Sequence, residues 1–312
     1  MKIFEVTYPH SLRLEELPDT AAAIGFFDGI HRGHRKLIHT AKKAAEEKQM
    51  ESAVITFHPH PSAVLKKDVQ HVEYITPLKE KKKLLQQMDV DRMYIITFNR
   101  QLASLSPGEF ISHFIDGLNI KHIVGGFDYT FGHKGKGNME TMKTHAGNRF
   151  EVTVIDKVEM NQEKVSSTKI RELMKEGKIE QVNALLNRPL SITGTVVKGD
   201  QRGRTIGYPT ANLQIQPDTL MPKPGVYAVK ALYKNEEYEA MANLGVKPTF
   251  TTGEEIPSLE VHLFDYNNDI YGEELRIEWH QYIRDEVRFN GVDELITQLQ
   301  KDEQQIRNYF SL

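Results

Sequence analysis

Two histidines three residues apart, His31 and His34, stand where an apolar run gives way to a helical pattern. The run Ala21–Phe27 reads as a buried strand, Asp28-Gly29 breaks it, and from Gly33 onward Leu37 and Ile38 fall on one helix face. Two imidazoles therefore sit at a helix N-terminus, where unpaired backbone N–H groups and the positive end of the helix dipole favour an anion. Gly33, having no side chain, lets a phosphate approach the backbone. A motif this short also arises by chance in surface turns, so the strand–turn–helix context carries the reading. Far downstream, alternation along Ser258–Phe264 puts Glu260, His262 and Phe264 on one strand face. A carboxylate there is either simply solvated or a general base for an alcohol attacking a γ-phosphate. Between the two lies Gly199 to Asn212, with Arg202, Arg204, Gly203 and Gly207 suited to phosphate and two neutral oxygen donors, Thr210 and Asn212, suited to a hard cation such as Mg²⁺. The plainer alternative is a long β-loop with ordinary turn glycines.

Elements of two kinds must position these groups. Up to about residue 158, β-branched runs alternate with charged amphipathic segments. The expected strands are Ala21–Phe27, Ala53–Phe57, Met93–Phe98, His122–Phe127 and Val152–Val158, and Met1–Glu5 also starts as a strand. Helices are expected over Gly33–Lys48, Pro77–Met88, Pro107–Leu118 and Met139–Gly147, with Thr76-Pro77 and the capping box Ser106–Glu109 as start signals. Such alternation implies a doubly wound parallel sheet, whose ligands bind beyond the C-terminal strand ends. The loops there are phosphate-compatible. His58-Pro59-His60-Pro61 is stiffened by two prolines, and zinc is the other reading of its histidines. Asp128 to Asn138 mixes aromatics, glycines and lysines, either as a basic surface loop or as a ring platform beside phosphate. Ser166-Ser167-Thr168 caps a helix in any case, and offers hydroxyls, with Arg171, to a triphosphate.

After Asn187-Arg188-Pro189 the texture changes to short alternating runs at Leu190–Lys198, Gly225–Leu232, Glu237–Asn243, Ser258–Phe264 and Leu275–Ile283, as in a small antiparallel barrel or sandwich. A closing helix from about Val292 carries one apolar stripe of Val292, Leu295, Ile296, Leu299, Ile306 and Phe310. At 312 residues two domains are the natural expectation, with the boundary at 186/187. A net charge of −3 argues against a general nucleic-acid binder. No cysteine means no disulfide and no thiolate metal site. No signal-peptide core and no run of membrane-spanning length is seen, so a cytoplasmic location is expected.

Read together, the motifs become specific. Gly25-x-Phe27-Asp28-Gly29-x-His31-x-Gly33-His34, Gly126-x-Asp128-Tyr129-x-Phe131-Gly132 and Ser166-Ser167-Thr168-x-Ile170-Arg171 occur in order, with Leu105-Ser106-Pro107-x-Glu109-Phe110 between them. They resemble the FMN adenylyltransferase module of prokaryotic FAD synthetases, a Rossmann-like member of the HxGH nucleotidyltransferases. Gly203-Arg204-x-x-Gly207-x-Pro209-Thr210-Ala211-Asn212, Glu260 ahead of Phe264-Asp265 and Tyr271-Gly272, and Arg284-x-Glu286-x-x-Phe289 resemble riboflavin kinase, whose fold is a six-stranded barrel with a C-terminal helix. The two resemblances span nearly the whole chain, in the order of the bifunctional bacterial family, with no departure at a motif position.

The resemblance implies riboflavin, FMN and ATP as substrates and Mg²⁺ as cofactor, with no nucleic-acid or membrane partner, and it leaves the oligomeric state open. Glu260, His31 and His34 are the implied catalytic residues. ATP is implied to contact Gly25, Phe27, Asp28, Gly33, Ser167, Thr168, Arg171, Gly199, Arg204, Gly207, Thr210 and Asn212. Flavin falls to Asp128, Pro59, Arg284 and Phe289, and metal to Thr210 and Asn212. His-x-Gly-His alone also fits adenylyl transfer to other phosphates or a relative of tRNA synthetases. A flavin-binding regulator that had lost catalysis is a further alternative. The kinase-like half, the acidic balance and the intact Glu260 and histidines weigh against these three.

Overall fold

The computed structural model describes residues 1–12, 16–66, 72–199, 201–248 and 255–311. They form two compact units, Met1–Ser167 and Thr168–Leu312. In the first, the chain runs β1 (Lys2–Val6), β2 (Thr20–Ile24), α1 (Arg32–Glu47), β3 (Glu51–His58), α2 (Pro61–Leu65), α3 (Leu78–Gln87), β4 (Arg92–Thr97), α4 (Arg100–Ser104) and α5 (Pro107–Ile111). It continues through β5 (Ile120–Gly126), the hairpin β6 (Thr130–Phe131) and β7 (Gly137–Asn138), α6 (Met139–Ala146), β8 (Glu151–Ile155) and the hairpin β9 (Glu159–Met160) and β10 (Glu163–Lys164).

Six strands make one sheet in the order β1-β4-β3-β2-β5-β8, and every pairing in it is parallel. Both faces are covered. Ala22, Ile24, Ile55, Tyr94, Ile96 and Ile123 pack under Leu102, Phe110, Phe114 and Met142 on one side. Ala23, Val54, Met93, Ile95 and Val124 pack under Leu37, Ile38, Leu84 and Leu85 on the other. Burial on both faces explains the near-continuous apolar strands. From β2 the chain winds outward through β3 and β4, then returns to β5 on the opposite flank. The topological switch point therefore lies between β2 and β5, at the end where the histidine turn begins.

Three local expectations are corrected. The first apolar run leaves the sheet at Ile24, because Gly25 to Phe27 turn away and bury the Phe27 ring. The last strand stops at Ile155. Thr76 does not cap α3: the N-cap is Pro77, and the buried Thr76 N–H donates instead to Asp28 Oδ1 at 3.1 Å. The Ser106–Glu109 capping box forms as expected.

The second unit begins with α7 (Ser167–Lys175, shared across the boundary) and α8 (Ile179–Leu186), then β11 (Leu190–Val197), α9 (Arg202–Thr205), β12 (Ala211–Ile215), β13 (Gly225–Tyr233), β14 (Glu236–Pro248), β15 (Glu255–Leu263), β16 (Glu274–Arg284) and α10 (Val292–Phe310). Its six strands close a barrel, β11-β12-β15-β14-β13-β16, with antiparallel pairings. Closure removes both sheet edges. The α7–α8 pair belongs to this unit through Asn183, whose side chain donates to Trp279 O at 2.8 Å and accepts from Leu190 N at 2.7 Å. On α10, Ile306 is buried against Val226, Ala228, Met241 and Phe264, so the apolar stripe packs on the barrel wall. Strand β12 carries Asn212 and is the one barrel strand outside the five runs expected from sequence; it is short and its outer positions are polar.

Candidate active sites

In the first unit the turn after β2 is compressed. Phe27, Gly29 and Ile30 all have positive φ (54°, 92° and 43°), and the Phe27 and Ile30 side chains are fully buried beneath it. Non-glycine residues in that region cost free energy that the surrounding packing must offset, a pattern common at functional sites. The turn delivers His31 to the N-cap of α1, where its Nδ1 accepts the backbone N–H of His34 at 3.3 Å. A neutral ring accepting at Nδ1 carries its proton on Nε2, so the cap itself fixes the tautomer. The two imidazoles stack with centroids 3.6 Å apart and planes at 15°, and Phe27 meets His34 edge-on at 5.2 Å.

Burial holds both rings neutral. It lowers His31 to about 4, partly opposed by a hydrogen bond with its own backbone and by the Asp128 carboxylate. Burial also lowers His34 well below the usual imidazole range, helped by the His31 ring and the Lys81 ammonium. His34 Nδ1 is buried without a hydrogen-bond partner among the described residues. A Cβ on Gly33 would lie 3.2 Å from the His31 ring, so Gly33 makes room for that ring.

The expected neighbours converge here in part. Asp28 is buried; besides Thr76, its carbonyl accepts from Ser167 Oγ at 2.8 Å, which ties the loop before α7 to the histidine turn. Asp128 is exposed and paired to Lys164 at 2.6 Å, and it acts on His31 through charge. Gly25 lies against the Phe27 ring. Pro59 sits in a loop where His60 caps α2 through Ser62 and meets the Phe26 ring edge-on at 4.4 Å, with Tyr74 bonded to the His60 N–H at 3.0 Å. Thr168 and Arg171 follow Ser167 along α7 and fall in the second unit. The aromatics of the 128–138 loop are not a ring platform: Phe131 is buried in the core and Tyr129 packs against it.

Sequence reading missed Lys81. It is buried, 3% exposed, with Nζ 2.7 Å from Phe26 O, 3.4 Å from Thr56 Oγ1 and 4.7 Å above the Phe26 ring. Burial lowers it to about 8 against the pull of Asp28.

In the second unit, strand register sets the chemistry. Asn212 on β12 and Asn243 on β14 both stand opposite Glu260 on β15. Thr210 Oγ1 lies 3.5 Å from Glu260 Oε2. A cavity of about 270 Å³ opens beside Glu260, Asn243, His262, Arg284 and Phe289, with Leu295 and Leu299 of α10 closing it. A smaller one of about 70 Å³ is lined by Arg204, Gln201, Tyr271 and Asp269, and Thr210 lines both. A Cβ on Gly199 would fall 2.3 Å from the Asn212 amide, so only glycine lets that loop lie on Asn212. Gly207 lies in the turn between α9 and Tyr208, and Asp200 lies outside the described residues. The Thr210 hydroxyl, the Asn212 amide and the Glu260 carboxylate offer oxygens of the hard kind that Mg²⁺ accepts. Arg284 does not point into the cavity unencumbered: its Nε and Nη2 bind the buried Asp302 of α10 at 2.7–3.0 Å, and its guanidinium lies 5.9 Å from the Phe289 ring. Asp302 was hidden from sequence reading among the polar residues of an amphipathic helix.

Comparison with known proteins agrees with both halves. Residues 14–169 match the FAD synthetase family model and residues 186–310 the riboflavin kinase model. The bifunctional riboflavin kinase/FMN adenylyltransferase of Bacillus subtilis (strain 168) is 46% identical over 312 residues, covering 100% of this chain and 99% of that one. Its counterpart in Listeria monocytogenes is 44% identical over 304 residues, 97% and 96% of the two chains. A crystal structure described as a macrolide-efflux protein from Streptococcus pneumoniae is 38% identical with a TM-score of 0.88, covering 98% of this chain and 99% of that one. No helix among the described residues is long and apolar enough to cross a membrane. With a stacked histidine pair at a parallel-sheet switch point, a carboxylate lining a cavity of a closed barrel, and matches over its full length, the chain belongs to the bifunctional riboflavin kinase/FMN adenylyltransferase family.

Proposed function

We propose that this chain makes FAD in two steps, with residues 187–312 phosphorylating riboflavin to FMN and residues 1–186 joining FMN to an adenylyl group. In the first step Glu260 accepts the proton of the riboflavin 5′-hydroxyl. The freed oxygen attacks the γ-phosphorus of ATP, and ADP leaves. Riboflavin occupies the larger cavity, against Phe289 and the Arg284 side of α10. The ATP phosphates take the smaller cavity, by Arg204, Gly199 and Gly207. Thr210 and Asn212 would hold Mg²⁺, which would neutralise phosphate charge. Catalysis here is mainly positioning, as phosphoryl transfer requires.

In the second step an FMN phosphate oxygen attacks the α-phosphorus of a second ATP, and pyrophosphate leaves. The nucleophile is already anionic, so no base is needed. The Nε2–H of His31, whose tautomer its cap fixes, and the neutral His34 ring stabilise charge developing on the α- and β-phosphates. Asp28, Gly25, Gly33 and Phe27 shape the ATP pocket, Ser167, Thr168 and Arg171 grip the triphosphate, and Asp128 and Pro59 border the flavin. The cytoplasm, where ATP is made, suits both steps.

The observation that carries the reading is Thr210 lining two cavities at once, 3.5 Å from Glu260, which lines the larger of them. The test is a chromatographic product assay with purified protein, riboflavin, ATP and Mg²⁺. Wild type yields FMN and then FAD. Glu260→Ala yields FAD only from supplied FMN, and His31→Ala/His34→Ala stops at FMN. Binding of riboflavin with neither product formed would replace the enzyme by a flavin-binding regulator.

A further inference from the structure

The first unit buries a cation that the mechanism above does not use. Lys81 lies on α3, within Lys79-Glu80-Lys81-Lys82-Lys83, yet it is turned inward beneath the histidine turn. Its ammonium donates to Phe26 O at 2.7 Å and lies 3.4 Å from Thr56 Oγ1 on β3; Thr56 in turn donates to the same Phe26 carbonyl at 3.0 Å. Phe26 is the residue immediately before the positive-φ stretch Phe27 to Ile30. Two donors from two elements thus clamp one carbonyl at the point where the chain leaves the sheet. Burying a charged group is costly unless it is paired and hydrogen-bonded, so a neutral side chain would serve packing alone better.

We propose that Lys81 is a positioning residue for adenylyl transfer: by clamping the Phe26 carbonyl it holds the strained turn that aims His31 and His34, and it supplies fixed positive charge beneath the phosphate site. The inference rests on the adenylyl-transfer reading of that site. The titratable groups facing Lys81 are Asp28, from the turn, and His34, from α1. Asp28 offsets part of the burial, and the ammonium in turn keeps His34 neutral.

The experiment uses the full chain, with FMN and ATP as substrates. FMN formation from riboflavin, carried by the other unit, serves as the internal measure of intact protein. In Lys81→Met, kcat for FAD formation falls about 100-fold, the scale expected for misplacing a catalytic group by roughly 1 Å. KM for FMN and ATP stays within about threefold, because the lost interaction acts in the transition state. The wild-type kcat profile turns down on the alkaline side near pH 8, where Lys81 loses its proton; in Lys81→Met that limb is gone. A merely structural role would scale the profile without moving the limb. Because the chain has no cysteine, Lys81→Cys carries a single thiol, and aminoethylation in denaturant followed by refolding restores a lysine-like side chain. Regained kcat and a regained alkaline limb support the proposal. An undiminished kcat in Lys81→Met, or a limb that persists in it, overturns the proposal and leaves the histidine reading standing. His31→Ala/His34→Ala, run alongside, separates the two: if that variant still makes FAD at the wild-type rate, the reading of the site falls and Lys81 falls with it.

Discussion

The two sites reach phosphate chemistry by opposite routes. In the first unit the side chains around the histidine turn are buried: Asp28, His31 and Lys81 are each 5% exposed or less, crowded under a turn with three positive-φ residues in succession or nearly so. In the second, Thr210, Asn212 and Glu260 are only half-buried, and ordinary strand pairing brings Asn212 and Asn243 opposite Glu260. One site is organised by burial and backbone strain, the other by register. A site of the first kind should respond to pH and to small steric changes. A site of the second kind should depend on one group at one register position.

The sharpest test of that contrast removes the chemical groups themselves. Glu260→Gln keeps the size and register of the side chain but cannot take a proton, and we expect FMN formation to fall by about 10³-fold, within the range of a positioned general base. FAD formation from supplied FMN is unchanged in the same preparation. His31→Ala reverses the pattern, with a loss of about 10²-fold or more in FAD formation, the scale of one donor removed from a charge-stabilising site. If either variant lowers both activities together, the division of labour between the units is wrong.

Asp302→Ala tests whether the second site depends on more than register. It strips a buried carboxylate of four hydrogen bonds, three from Arg284 and one from Gln298, and leaves the Arg284 charge unpaired. Removing one partner of such a pair costs about 3–5 kcal/mol. The unfolding transition reported by Trp279, the chain's one tryptophan, buried in the barrel, moves down accordingly. KM for riboflavin rises as Arg284 and α10 loosen. An unmoved Trp279 transition would mean that α10 is held by its apolar stripe alone.

The pH response belongs to the first site. In the unfolded chain His31 takes up a proton near pH 6.5, whereas in the folded chain it stays neutral until about 4. Between those values the unfolded state binds the extra proton, so stability present above pH 6.5 is lost as pH falls toward 4, by up to roughly 3 kcal/mol. His34 and His122, also lowered by burial in this unit, act in the same direction. Far-UV circular dichroism followed beside Trp279 fluorescence separates the units. The prediction fails if the first unit's melting point is the same at pH 7 and pH 4.5.

What the sequence disclosed follows from the same contrast. The parallel sheet was legible because strands buried on both faces must be apolar throughout, and the Ile24–His34 turn was legible because Asp28-Gly29 interrupts such a strand so abruptly. Alternation placed Glu260 on a strand face, and the motifs around it, not the alternation, singled it out. Lys81 was not, because its neighbours Lys79, Lys82 and Lys83 make it one of a run of charges, and such runs normally face water. Only the docking of α3 under Phe26 distinguishes it. Strand β12 escaped because it is only five residues long and Asn212 and Gln214 break its apolar pattern. The end of the first strand was misplaced by three residues because Phe26 and Phe27 are apolar for a reason other than pairing: they fill the space beneath the turn.

Gly33→Ala is the smallest change that should tell the two kinds of site apart, because its effects on stability and activity carry opposite signs. The position is the second residue of α1 and its φ is not in the left-handed region, so alanine is accepted by the backbone and favours the helix, by up to about 1 kcal/mol in a helix interior. The added Cβ, however, lies 3.2 Å from Cε1 and Nδ1 of His31, so the ring must shift by a few tenths of an ångström and its cap bond to His34 N lengthens from 3.3 Å. We expect FAD formation to fall about tenfold, a loss of roughly 1.4 kcal/mol of transition-state stabilisation, while the melting point of the first unit holds or rises. KM separates the two duties assigned to this glycine. If the ring displacement dominates, kcat falls and KM for ATP stays where it was; if the methyl group chiefly blocks the phosphate, KM for ATP rises. Full activity in a folded Gly33→Ala protein would show that the His31 ring tolerates displacement, and the argument that burial and crowding organise this site would lose its main support.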